Sequence, residues 1–141
     1  MQTFLPYQDF TKSAECLDYK RLGKQRVEAF QILNAIEKKK TEVKVSWGNH
    51  PAVLMWEGYE EALKEYTNVM ITTWVNKGYN NSMQLYIFSN NIIYPPWLGN
   101  KEFHASHRSN LLRKDKLFYS QFKWTEPDNL EYVWPVQKGS I

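Results

Sequence analysis

The chain has 141 residues, 43% hydrophobic and 23% charged, which is enough for one domain with a real core and too short for two ordinary ones. No apolar run approaches bilayer-crossing length, and the start MQTFLPYQDF lacks the basic and apolar regions of a signal peptide, so no membrane association and an intracellular location are expected. Cys16 stands alone, which rules out an internal disulfide and a cysteine-rich zinc site and marks it as a small core residue.

The net charge of +3 is mild but uneven. Lys12 to Lys44 carries nine Lys/Arg against five Asp/Glu, Lys101 to Lys123 six against two, and the stretch Pro51 to Lys77 between them four Glu against two Lys. Two basic segments around an acidic one permit a one-sided positive surface for a polyanion, although two solvated helix faces would look the same. Six Trp, nine Tyr and seven Phe either fill a core or stand ready to stack on a flat ligand, and only their positions separate the two readings.

Three segments read as helices within a single domain of residues 1–141. The first begins near Thr11 or Ser13, both able to cap it, and runs to about Glu37, with Gly23 as its point of potential interruption. Leu22, Ala29, Leu33 and Ile36 share one face at helical spacing, and Asp18, Gln25 and Arg26 share or border it. The second follows Asn49-His50-Pro51, ends at Gly78, and carries Ala52, Met55, Trp56, Tyr59, Leu63, Tyr66, Met70 and Trp74 at steps of three and four, the pattern of a core spine. Residues 79–100 are rich in Asn and end in Pro95-Pro96 before Trp97, with no alternation long enough for a sheet. The third helix is expected from Lys101 to Phe122, followed by an irregular tail anchored by Trp124, Tyr132 and Trp134. The fold class is therefore all-α, a compact three-helix bundle with long loops and an aromatic C-terminal tail.

The stretch EFHASHRSNLLRKD places His104, His107 and Arg108 in line with Leu111 and Leu112, on the side that faces the protein. Burying such groups without partners costs several kcal/mol. For any one of them a structural pairing is the commoner explanation, but their concentration on two of three helices favours a cleft. A metal site from His50, His104 and His107 has no supporting carboxylate or cysteine, Ser106 and Ser109 lack nucleophile-elbow glycines, and Gly23 in RLGKQR is not a phosphate loop. Nucleic acid fits better. Lys20, Arg21, Lys24 and Arg26 suit phosphates, and Gln25, His104 and Asn110 suit a base edge.

LDYKRLGKQRVEAFQIL, NHPAVLMWEGYEEALKEY with KGYN at its end, and FHASHRSNLLRKD followed by QFKWTEPDNLEYVWPV together resemble, in order and over nearly the whole chain, the pyrimidine-dimer DNA glycosylase (phage endonuclease V-like) family. The resemblance implies an all-α fold whose long N-terminal helix crosses between two others. It also implies an enzyme that flips a base from duplex DNA, cuts the glycosidic bond with an N-terminal α-amine, and breaks the strand by β-elimination while a helix carboxylate stabilises the positive charge that develops. No cofactor or metal is implied, and the partner is a duplex bearing a damaged or modified base, bound by a monomer.

The family motif, acidic-Tyr-basic-Glu-Leu and then Arg-Val, reads here Asp18-Tyr19-Lys20-Arg21-Leu22 and then Arg26-Val27. Lys20 and Arg26 match, whereas the catalytic Glu is replaced by Arg21 or, aligned from the right, by Gly23. Bulky Gln2 is expected to keep Met1 as the amine-bearing residue. The expected catalytic set is then the Met1 amine, Asp18 in preference to Glu28 as the carboxylate, and His104 or His107 as proton carrier. Lys20, Arg21, Lys24, Gln25, Arg26, Arg108 and Asn110 are the expected DNA-binding set, around a cleft between the first and third helices. Activated water on another N-glycosidic bond, a DNA-binding module without catalysis, and an enzyme of free nucleosides stand as alternatives.

Overall fold

The structure, a computed structural model, describes residues 1–136, and the last five lie outside it. Among the described residues there are six α-helices and no strand: α1 (Phe10–Cys16), α2 (Tyr19–Lys40), α3 (Pro51–Leu54), α4 (Glu60–Asn76), α5 (Lys101–Lys114) and α6 (Lys116–Tyr119), the last continuing into a 3-10 turn, Ser120–Phe122. The all-α class holds, and each of the three expected helices is divided.

Each division has a local cause. Leu17 and Asp18 are extended, so the first break falls before Tyr19 and not at Gly23. Gly23 continues α2 because Trp74 lies against it: a Cβ there would sit 3.0 Å from the ring. Gly58, at φ +88, separates α3 from α4 while its N–H donates to Glu60 Oε1 at 2.8 Å. Asp115, at φ −152 and ψ 78, ends α5 and caps α6 by accepting from Phe118 N.

The core lies between α2 and α4, where Leu22, Ala29, Ile32 and Ile36 meet Leu63, Tyr66 and Met70, all at most 2% exposed. Trp56, Trp97 and Phe103 close one end, with ring centroids 5.0 and 4.9 Å apart in succession. Residues 79–100 form no helix. Asn68 of α4 holds this segment like a neighbouring strand, its side chain donating to Tyr86 O at 2.8 Å and accepting from Tyr86 N at 2.7 Å. No described helix is long and apolar enough to cross a membrane.

Candidate active site at the amino terminus

The first eight residues are not helical, yet Thr3, Phe4 and Leu5 are buried, so their backbone groups need partners that no sheet supplies. Polar side chains from the surrounding helices take that place. Phe4 N donates to Gln25 Oε1 at 3.1 Å and to the Tyr66 hydroxyl at 3.0 Å, and Trp56 Nε1 donates to Thr3 Oγ1 at 3.1 Å. Leu5 N donates to His107 Nδ1 at 2.9 Å, His104 Nδ1 donates to Leu5 O at 2.8 Å, and Arg108 donates to Pro6 O at 2.7 Å, the Trp56 bond to Thr3 being the one in this set that joins two side chains and comes from between helices.

This explains the imidazoles on the inner face of α5, and it assigns them a different task from proton transfer. The two rings grip one peptide unit each side of Leu5 from opposite polarities, which requires both to be neutral: His107 accepts at Nδ1, and His104 donates there while its Nε2 accepts from Gly99 N at 2.9 Å. Burial lowers the His107 pKa from 6.5 to about 3, with the neighbouring His104 acting in the same direction. Burial also lowers His104, and Arg108 adds to the effect against the Leu5 carbonyl. Arg108 is further committed to Glu126 by a two-pronged pair, Nε to Oε1 at 2.9 Å and Nη2 to Oε2 at 2.8 Å. Asn110, fully buried, donates to Ser106 O and Leu130 O and fastens the C-terminal tail. None of these four side chains lines the hollow that the amino terminus opens into.

That hollow, about 450 Å³ and open to solvent, is lined by Met1, Gln2 and Phe4, by Lys20, Arg21, Lys24, Gln25 and Glu28 of α2, and by Lys114 at the end of α5. It lies between the expected first and third helices. Four cations rim it, three of them on the first two turns of α2, and one carboxylate, Glu28, lies inside. A second hollow, about 420 Å³, lies against α4 and contains Asp9 and Glu65 but no basic side chain, so its charge opposes a polyanion.

The geometry separates the two candidate carboxylates. Asp18 sits at the start of α2 and accepts from Arg21 Nη1 at 3.1 Å and from the Tyr119 hydroxyl. Burial pushes its pKa up, but the Tyr119 and Arg21 hydrogen bonds outweigh it and hold the carboxyl below the usual range. It does not line the hollow. Glu28 does, with Oε2 accepting from Gln25 Nε2 at 3.1 Å and Oε1 making no hydrogen bond among the described residues. The preference for Asp18 requires the inward face of the helix to be the reactive one; here the inward face holds the fold and the flank of α2 faces the opening.

Two further side chains of the expected DNA-binding set are engaged within the protein. Gln25 is fully buried behind the hollow's wall, with both ends of its amide bonded within the protein. Arg26 lies 4.4 Å over the Trp74 ring and donates to Asn81 Oδ1 at 2.6 Å, bracing residues 79–81 against α4. Lys20 and Lys24 are exposed on the hollow's wall, and Arg21 is half-buried there beside Asp18. Lys114 carries no distinguishing signal in the sequence, where it is one cation among several near the end of a helix. His50 caps α3 by accepting from Ala52 N at 3.0 Å, and among the described residues no three His, Cys, Asp or Glu side chains gather as a metal would need. Cys16 is buried, which raises its thiol to about 12 and makes it a core residue.

An all-α fold thus carries, beside Met1, a hollow rimmed by basic side chains, the charge that suits a polyanion. Residues 1–87, which carry every lining residue of the hollow except Lys114, match the family model described as pyrimidine dimer DNA glycosylase, and the chain belongs to that family. No curated protein and no solved structure matches the chain.

Proposed function

We propose that the chain is a DNA glycosylase with strand-cleaving activity, which takes a damaged or modified pyrimidine out of duplex DNA and excises it in the hollow at the amino terminus. The observation that carries this reading is that Met1 and Glu28, 27 positions apart in sequence, line one solvent-open hollow whose rim is Lys20, Arg21, Lys24 and Lys114. The rim cations neutralise phosphates and draw the duplex in. The Met1 nitrogen then bonds to the sugar C1′ as the glycosidic bond breaks, and the base leaves with the bonding electrons and takes up a proton. The C1′–O4′ bond then opens as O4′ takes up a proton, leaving a protonated imine; Glu28 stabilises its cationic carbon and removes a C2′ proton, and the 3′ phosphate leaves with the electrons of the C3′–O bond. A reaction that passes through an imine needs no metal or cofactor to hold electrons.

The test is incubation with duplexes carrying cyclobutane pyrimidine dimers, modified pyrimidines or abasic sites, with borohydride present. Base release or nicking on at least one duplex is expected, together with a DNA adduct mapped by mass spectrometry to the N-terminal peptide. An N-terminal extension of a few residues should abolish the adduct. Base release with no adduct would replace the amine by activated water, and salt-dependent duplex affinity with no product on any substrate would leave a binding module.

A further inference from the structure

Gln25 has no solvent exposure and spends its whole hydrogen-bonding capacity inside the protein. Its Oε1 accepts from Phe4 N at 3.1 Å and from the Tyr66 hydroxyl at 2.5 Å. Its Nε2 donates to Gln2 O at 2.9 Å and to Glu28 Oε2 at 3.1 Å. The amide has one possible orientation, because one end meets donors and the other meets a carbonyl and a carboxylate, neither of which can donate. One planar group therefore ties the backbone next to Met1 to the carboxylate that shares its hollow.

We infer that Gln25 is a positioning residue that sets the separation between the Met1 amine and the Glu28 carboxylate. This rests on the reading of the hollow given above. A buried glutamine that served only to satisfy the Phe4 N–H would need its acceptor end alone, and Tyr66 already offers a second acceptor to that N–H at 3.0 Å. The donor end serves the site: without it Gln2 O loses this partner, and Glu28 loses its tie to the amino-terminal segment. An amine and a carboxylate that act on adjacent carbons of one sugar must be held to a fraction of an ångström, and a displacement of about 1 Å costs on the order of 100-fold in rate.

Gln25→Glu weakens the donor end selectively: one oxygen still accepts from Phe4 N and Tyr66, while the two amide donors to Gln2 O and Glu28 are replaced by at most one proton shared with the Glu28 carboxylate. Tyr66→Phe is the control that disturbs the acceptor end. Both variants are compared with wild type for thermal stability, affinity for an abasic-site duplex, and the rate of borohydride trapping at saturating duplex. The expected result for Gln25→Glu is a trapping rate reduced about 10- to 100-fold with affinity held within about twofold, while Tyr66→Phe of comparable stability loses less than about threefold. Equal losses in the two variants at matched stability, or an unchanged rate in Gln25→Glu, overturn the inference while the reading of the hollow stands. Gln25→Met, which removes both ends without adding a carboxyl beside Glu28, is measured alongside, and a loss in it no larger than that of Tyr66→Phe at matched stability likewise overturns the inference. A wild-type protein that forms no adduct overturns the reading of the hollow and the inference with it.

Discussion

Lowering the pH from 7 to 5 should destabilise the fold chiefly through His107. Its ring is neutral in the folded chain because Nδ1 accepts from Leu5 N and because burial lowers the pKa from 6.5 to about 3. In the unfolded chain the ring protonates near 6.5, so in this window the unfolded state binds more protons and stability falls as pH falls. The loss begins near pH 6.5 and continues towards pH 3. At about 1.4 kcal/mol per pH unit, the 1.5 units between 6.5 and 5 amount to roughly 2 kcal/mol for His107 alone, and His104, also lowered, adds in the same sense. Asp18 and Glu126 have lowered carboxyls as well, but their ordinary values of 3.8 and 4.5 place their effect below this window. The assay is urea unfolding followed by tryptophan fluorescence at several pH values. In His107→Gln the side-chain carbonyl still accepts from Leu5 N but does not titrate, so the slope of stability against pH between 6.5 and 5 should drop by about 1.4 kcal/mol per unit. A wild type flat across this range, or a variant with the wild-type slope, would refute the reasoning.

Glu28→Gln should reduce turnover or trapping by about 10²- to 10³-fold while duplex affinity stays within a few-fold, as expected for a group that acts on the reacting sugar; Asp18→Asn, measured alongside, should act mainly on stability. Replacing Lys20, Lys24 and Lys114 by Ala should weaken binding to all duplexes alike and flatten the dependence of log affinity on log salt by about 0.9 for each phosphate that is no longer neutralised. Gly23→Ala gains about 1 kcal/mol of helix propensity but drives a methyl to 3.0 Å from the Trp74 ring. That ring is held by Arg26 at 4.4 Å and Tyr79 at 4.5 Å, so overpacking of about 1–3 kcal/mol should dominate and lower the urea midpoint.

Local patterns determined a good part of this protein. Helical spacing of apolar residues identified the α2 and α4 faces that form the core, and Pro51 and Gly78 marked the ends of the spine, because periodicity and backbone restriction are properties of neighbouring residues. The breaks at Leu17, Gly58 and Asp115 were not legible, since each depends on which competing turn the packed chain selects. The polar residues on inner faces were visible as an anomaly, but their cause lay far away in sequence: His104 and His107 answer to Leu5, and Gln25 to Phe4, over separations of 99, 102 and 21 positions. Only the tertiary structure showed that a buried, non-helical amino-terminal segment lies among the helices and has its backbone satisfied by their side chains. The same placement brings Met1 beside Glu28 and leaves Asp18 paired with Tyr119 and Arg21. A helix projection reports which residues share a face; which face is buried against another segment and which opens to solvent is decided by contacts that the projection does not contain.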